Sequence, residues 1–127
     1  SVRTQYVVGT LVYMAPEVHR GSYSALGDVY ALGVVMLELL TGLEPSPCDG
    51  RDDIVTHLED GLEEGPDGMR GHLAGVWAGD EEAAEVVSAL AGDCLKDRKA
   101  QRPKADAVVE RLDAGCAAAL ERRGVGL

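Results

Sequence analysis

Residues Asp28 to Gly42 read DVYALGVVMLELLTG. From Val29 to Leu40 every position is apolar except Gly33 and Glu38. A helix that is apolar all round belongs inside a protein, because it keeps no polar face for water. The run is too short to span a membrane, which takes about 20 apolar residues, and Glu38 interrupts it. Asp28 is placed to accept hydrogen bonds from the free N–H groups of a first helical turn. Gly42, with Pro45 beyond it, supplies the stop. Gly33 would cost about 1 kcal/mol against alanine in an exposed helix, so its use predicts that another backbone comes close there. The stretch predicts one buried central helix over 28–41 with the remainder packed around it.

The rest of the composition sets bounds on function. With 127 residues, 46% of them hydrophobic and 27% charged, the chain is one ordinary folded domain or a piece of one. It has no Phe and a single Trp, so the core must rest on Leu, Val and Ala. A net charge of −10 argues against nucleic acid and against membrane contact by this segment, since both partners demand a basic surface. The five basic residues between Lys96 and Lys104 read as a solvated interhelical loop rather than a phosphate site. Cys48, Cys94 and Cys116 have neither disulfide density nor zinc spacing, and His19, His57 and His72 add no metal pattern. No metal is expected here, and a reducing, intracellular, cytoplasmic setting fits the cysteines. No signal peptide or transmembrane segment opens the chain, and Ser1 in place of Met suggests a fragment.

Along the chain, residues 1–10 (SVRTQYVVGT) are polar and then weakly strand-like. Pro16 disfavours helical geometry at Ala15 and suits a helical first turn itself, so a short turn through Glu17–Arg20 is expected, ended by Gly21. A loop then leads to the central helix. Ile54, Val55, Leu58 and Leu62 keep helical spacing over 52–62. Residues 65–79 are rich in glycine and read as a loop, with Trp77 as its anchor against the core. Asp80 is a good N-cap for a helix over 80–95, whose apolar stripe is Ala83, Val87, Leu90 and Cys94. Pro103 suits the first position of a last helix over 103–121. Ala105, Val108, Val109, Leu112, Cys116, Ala119 and Leu120 repeat there at three and four residues. No internal repeat is present. The expected fold class is mainly α, with a non-helical N-terminal arm.

No nucleophile–base pair, phosphate loop or metal spacing marks a reaction centre in these residues. The order of the punctuated segments is more informative. GTLVYMAPE at 9–17, DVYALGVVMLELLTG at 28–42 and the Arg102-Pro103 pair before an amphipathic helix together resemble the C-terminal lobe of a eukaryotic protein kinase domain. The resemblance covers nearly the whole chain and thins over 63–76. It implies a partial kinase domain at 1–121 built around one buried central helix, with 122–127 as a tail. DVYALGVVMLELLTG, CLKDRKAQRP and VVERL are most similar to plant receptor-like and Pelle/IRAK-type Ser/Thr kinases.

The family pattern implies roles for individual positions. Residues 1–6 resemble the end of an activation loop, where Ser1, Thr4 and Tyr6 are candidate phosphorylation sites. Gly9, Thr10, Tyr13 and Met14 resemble the segment that receives a protein substrate, and Thr10 in this form goes with Ser/Thr specificity. Glu17 and Arg102 resemble a buried structural ion pair, although by pattern alone both read as solvated. Asp28 resembles the aspartate that anchors the catalytic loop, a role compatible with a helix cap.

Phosphoryl transfer also needs parts that these 127 residues do not contain. The glycine-rich loop, the ATP-contacting Lys and its Glu partner, the HRD catalytic loop and the DFG metal site are missing from the sequence. The expectation is therefore a Ser/Thr kinase fragment with no catalytic residue, no cofactor of its own, and ATP and Mg bound only by the full-length domain. Its expected partners are a protein substrate and the remainder of the kinase domain, and the full protein is compatible with a membrane anchor. The alternative expectation is a non-catalytic helical interaction module, a kinase remnant or pseudokinase. Without the catalytic loop and the helix before it, part of the 29–40 surface should face water and favour aggregation.

Overall fold

The computed structural model describes residues 11–46, 52–122 and 124. The N-terminal arm over 1–10, with Ser1, Thr4, Tyr6, Gly9 and Thr10, lies outside them, as does Cys48. We number the helices α1 (Pro16–His19), α2 (Ala25–Thr41), α3 (Ile54–Glu63), α4 (Pro66–Met69), α5 (Glu81–Cys94) and α6 (Ala105–Arg122). Three short 3-10 turns, Arg70–His72, Gly75–Trp77 and Lys99–Gln101, lie between them, and no strand occurs among the described residues. The all-helical expectation holds. No helix among the described residues is long and apolar enough to cross a membrane.

Helix α2 is the centre of the packing. Val29, Tyr30, Val34, Met36, Leu37 and Leu40 are buried in the core, joined by Ile54 and Leu58 of α3 and by Leu90, Ala91 and Cys94 of α5. The helix begins at Ala25, three residues ahead of Asp28, with Ser24 as the N-cap residue and no capping hydrogen bond from its side chain. Asp28 thus stands inside the first turn and does not cap it. The sequence misleads here because Gly27 reads as a loop residue. In the fold Gly27 is a packing residue: a Cβ there would lie 2.9 Å from Val18 Cγ2. Asp28 still complements the positive end of the helix dipole.

The end of α2 falls where the sequence places it. Gly42 takes the left-handed conformation at φ 71°, and its N–H donates to the Glu38 carbonyl at 2.8 Å. Two more carbonyls of this last turn are satisfied from a distance. The Trp77 indole N–H donates to the Leu39 carbonyl at 3.1 Å, and the Ala74 N–H donates to the Leu40 carbonyl at 2.8 Å. Trp77 is therefore an anchor, and its hold on the core is partly a C-terminal cap for α2. The glycine-rich stretch it belongs to is more helical than expected. It folds into α4 and two 3-10 turns, and it contributes Met69 to the core.

Two helix faces differ from the expected stripes. In α5 the fully buried positions are Ala84, Ser88, Leu90, Ala91 and Cys94, while Ala83 and Val87 are half-buried. The face turns because α5 is held between α2 and α6, and small residues let the three helices approach. In α6 only Val108 is buried; Val109 and Cys116 are exposed. The helix starts at Ala105, so Pro103 precedes it and does not occupy its first position. Pro103 acts instead on its neighbour, which is held extended at φ −83° and ψ 146°.

Gly33 is explained by α5, through side chains rather than backbone. A Cβ at Gly33 would lie 2.9 Å from Leu95 Cγ and 3.0 Å from Cys94 Cβ. Gly33→Ala should therefore destabilise the chain by about 1–3 kcal/mol through overpacking, against the gain that alanine brings to a helix. A urea midpoint that rose on this substitution would refute the close-packing explanation.

Candidate functional site

Three sequence-predicted positions make contacts around α2: Glu17 and Arg102 pair with each other beside its start, and Tyr13 bonds Glu38 near its end. Ala15 is extended at φ −63° and ψ 157°, as the following proline demands, and Pro16 then opens the single turn of α1. That turn points the Glu17 carboxylate inward. Arg102 enters from the other end of the chain, on the extended segment before Pro103. Its Nη1 donates to Glu17 Oε2 at 2.7 Å and its Nη2 to Glu17 Oε1 at 2.8 Å, a bidentate pair.

The remaining guanidinium donors are also used. Nε donates to the Lys96 carbonyl at 2.8 Å, Nη1 to the Leu26 carbonyl at 3.0 Å and Nη2 to the Asp97 carbonyl at 3.1 Å. These bonds employ all of the donors that a guanidinium offers. The cation also stands 5.1 Å from the centre of the Tyr30 ring, within cation–π range. Arg102 is 5% exposed and Glu17 is 9% exposed, so the pair is buried and fully bonded. Hydrogen bonding from Arg102 outweighs burial and holds the Glu17 carboxyl down at about 2, below its ordinary 4.5.

The second contact lies toward the other end of α2. Tyr13 Oη donates to Glu38 Oε2 at 2.7 Å, and burial followed by the Glu38 hydrogen bond pushes the phenol up to about 12. This bond holds the 11–14 segment against the last turn of α2. Met14 lies beside it and lines a groove between that segment, α3 and α5. Asp28 is not joined to this network. It is exposed, at the head of a stripe that continues through Leu32, Val35 and Leu39 at spacings of four, three and four residues.

Sequence reasoning did not assign Glu38, Tyr30 or the carbonyls of Leu26, Lys96 and Asp97 to this site. Glu38 had a signal: it is the one carboxylate inside the apolar run, and a buried-side charge needs a partner. Carbonyl acceptors leave no trace in residue identities, so only the fold reveals them. The basic loop does behave largely as a solvated one, with residues 96–101 exposed and Arg102 the exception.

Among the described residues the arrangement ties together segments distant in the chain. It clamps the segment after Pro16 to the last helices and fixes the 11–14 segment on α2. Comparison with known proteins places these features in a family. The family model for the protein kinase domain matches residues 1–112. The chain is 32% identical over 123 residues to cysteine-rich receptor-like protein kinase 25 of Arabidopsis thaliana, covering 87% of this chain and 17% of that protein. It is 38% identical over 114 residues to EPD1-interacting receptor-like cytoplasmic serine/threonine-protein kinase 5D of Gossypium barbadense, with 84% and 24% covered. It is 37% identical over 116 residues to receptor-like serine/threonine-protein kinase ALE2 of Arabidopsis thaliana, with 84% and 15% covered. The chain thus spans less than a quarter of the length of each of these three relatives. With most of its length matched by the family model, the chain belongs to the protein kinase domain family, of which it is a helical fragment.

Proposed function

We propose that the parent protein transfers the γ-phosphate of ATP to Ser or Thr residues of proteins, and that this chain forms the substrate-side part of its larger lobe. The observation that carries the reading is the buried Glu17–Arg102 pair, which joins the Ala15-Pro16-Glu17 segment to the Arg102-Pro103 entry of α6. On this reading the partial domain runs over 1–121 and 122–127 form a tail. Gly9, Thr10, Tyr13 and Met14 receive the substrate polypeptide, and the Tyr13–Glu38 bond keeps their segment in place. Asp28 anchors the catalytic loop supplied by the remainder of the domain, and Leu32, Val35 and Leu39 are covered by it. Ser1, Thr4 and Tyr6 are candidate sites of activating phosphorylation, and the lobe works on the cytoplasmic side of any membrane the parent is anchored to.

The family implies ATP and magnesium in the full domain. The residues of this chain do not fit either group. Among the described residues no set of three or more His, Cys, Asp or Glu side chains is placed to hold a metal ion. The sequence also lacks a glycine-rich phosphate loop. We assign both to the remainder of the domain and give this chain a binding and positioning role alone. The expected result is no ATP hydrolysis and no peptide phosphorylation by the purified chain, in an assay that detects a full-length family member at equal concentration. Turnover that co-purifies with the chain through successive columns would overturn the assignment.

A further inference from the structure

His57 on α3 and His72, the last residue of the first 3-10 turn, meet in the fold with ring centres 5.7 Å apart and ring planes at 79°. Their distance in sequence hides them from any reading of metal-ligand spacing. Two glycines bring them together. Gly61 lies one turn after His57 on the same face of α3. A Cβ there would stand 2.9 Å from the Gly68 carbonyl oxygen and 3.4 Å from His72 Cδ2. A Cβ on Gly68 would in turn overlap the Gly61 carbonyl. Backbone thus lies directly on backbone, and the 66–72 segment is set against α3 with His72 beside His57. His57 is exposed and His72 half-buried, so solvent reaches the pair. Neither ring lines the groove beside Met14.

An imidazole nitrogen bonds zinc at about 2.0–2.1 Å, which puts the ion about 3.2 Å from the ring centre. Two rings sharing one ion then have centres about 5.2 Å apart at the tetrahedral angle and about 6.4 Å apart at the linear limit. The observed 5.7 Å falls inside that interval. The edge-to-face contact becomes a chelating one by rotation about χ2, a broad torsion in histidine. Local charge also favours a dication. Asp60 and Glu64 follow His57 at spacings that keep them on its side of α3. Arg70, the cation of the His72 turn, is held by Glu85 at 3.0 Å and Asp67 at 3.3 Å. We propose that His57 and His72 together bind one divalent transition-metal ion of the zinc, nickel and copper group. Imidazole suits these ions, whereas magnesium and calcium take oxygen ligands. Among the described residues no three His, Cys, Asp or Glu side chains converge on one point, so two imidazoles are the protein's share and waters complete the coordination. The site uses no residue of phosphoryl transfer and stands whether or not the parent is an active kinase.

The probe is Zn²⁺, titrated into the untagged 127-residue chain carrying Cys48→Ser and Cys116→Ser, which removes thiols that bind the metal themselves. The imidazole NMR signals of His57 and His72 should shift together and saturate together, while those of the exposed His19 stay in place over the same range. The urea midpoint should rise with Zn²⁺, because the ion joins two elements that separate on unfolding. Mg²⁺ at the same concentration should not raise it. His57→Gln and His72→Gln should each weaken Zn²⁺ binding at least about tenfold, the loss that follows even from removing a ligand's supporting partner. His19→Gln should leave it unchanged. If His72→Gln lowers the helical circular dichroism, the paired shifts in the parent chain and His57→Gln, at an exposed position, decide the question. A shift confined to one of the two rings, or Zn²⁺ affinity that survives the loss of both, would place the ion elsewhere and overturn the proposal. So would sedimentation showing a Zn²⁺-induced dimer, because the two rings would then not share an ion within one chain.

Discussion

Arg102→Met should lower the stability of the chain by about 3–5 kcal/mol, the range for stranding one member of a buried ion pair. The substitution removes a cation whose side chain is fully buried and leaves the Glu17 carboxylate facing the space it filled. It also strips donors from the carbonyls of Leu26, Lys96 and Asp97, so three elements lose their common tie. Glu17→Gln with Arg102→Met should be less damaging than Arg102→Met alone, because no charge is then left buried without a partner. Urea midpoints of the three variants measure this order. A double variant no better than Arg102→Met would mean that the carbonyl bonds, and not the pair, carry the loss.

The same pair sets a pH dependence with a definite sign. Glu17 is held at about 2 in the folded chain against an ordinary 4.5, chiefly by hydrogen bonding to Arg102. A depressed carboxylate contributes stability that is full above the unfolded value and is lost as pH falls through the folded one. At about 1.4 kcal/mol per pH unit, the contribution is about 3 kcal/mol near neutrality and fades between pH 4.5 and 2. The stability gap between the parent chain and Glu17→Gln should therefore narrow across that interval. A gap that stays constant there would exclude the Glu17 carboxylate as the linked group.

Much of this site is written in single residues that restrict the backbone. Ala15 before Pro16 and Arg102 before Pro103 are both extended, and each proline aims one partner of the pair. Gly42 ends α2 for the reason the sequence suggests. What the sequence conceals is depth. Glu17 and Arg102 are 85 positions apart, and nothing local says that either is buried. Their pattern alone favours a solvated state, and only the resemblance to kinases points to a buried pair. The positions of α5 and α6 were less legible for a related reason. Periodicity shows that a helix has an apolar side, but the neighbours decide which part of that side is covered. Small residues such as Ala84, Ser88 and Ala91 do not stand out on a hydropathy pattern, yet they are the ones that let α5 lie against its partners. Helix α3 carries its start signal locally: Asp53 caps it by accepting from the Thr56 N–H at 2.9 Å.

Leu37 and Leu39 should respond in opposite ways to the same substitution, although they are two residues apart on α2. Leu37 is 0% exposed and Leu39 is 64% exposed. Leu37→Ala opens a cavity at the centre of the core and should cost about 2–5 kcal/mol. Leu39→Ala should change stability by no more than about 0.5 kcal/mol, as expected for a surface site, because the bond from Trp77 is made to the Leu39 carbonyl and survives. The contrast tests the claim that one stripe of an otherwise apolar helix is left uncovered here. Leu32, Val35 and Leu39 form that stripe, and water meets apolar surface along it. Lysine at all three positions should reduce self-association in sedimentation while leaving the helical signal intact. If Leu39→Ala proved as costly as Leu37→Ala, the stripe would already be buried in solution. A charged stripe that failed to suppress self-association would place the contact elsewhere, with the exposed Val109 and Cys116 face of α6 the next to examine.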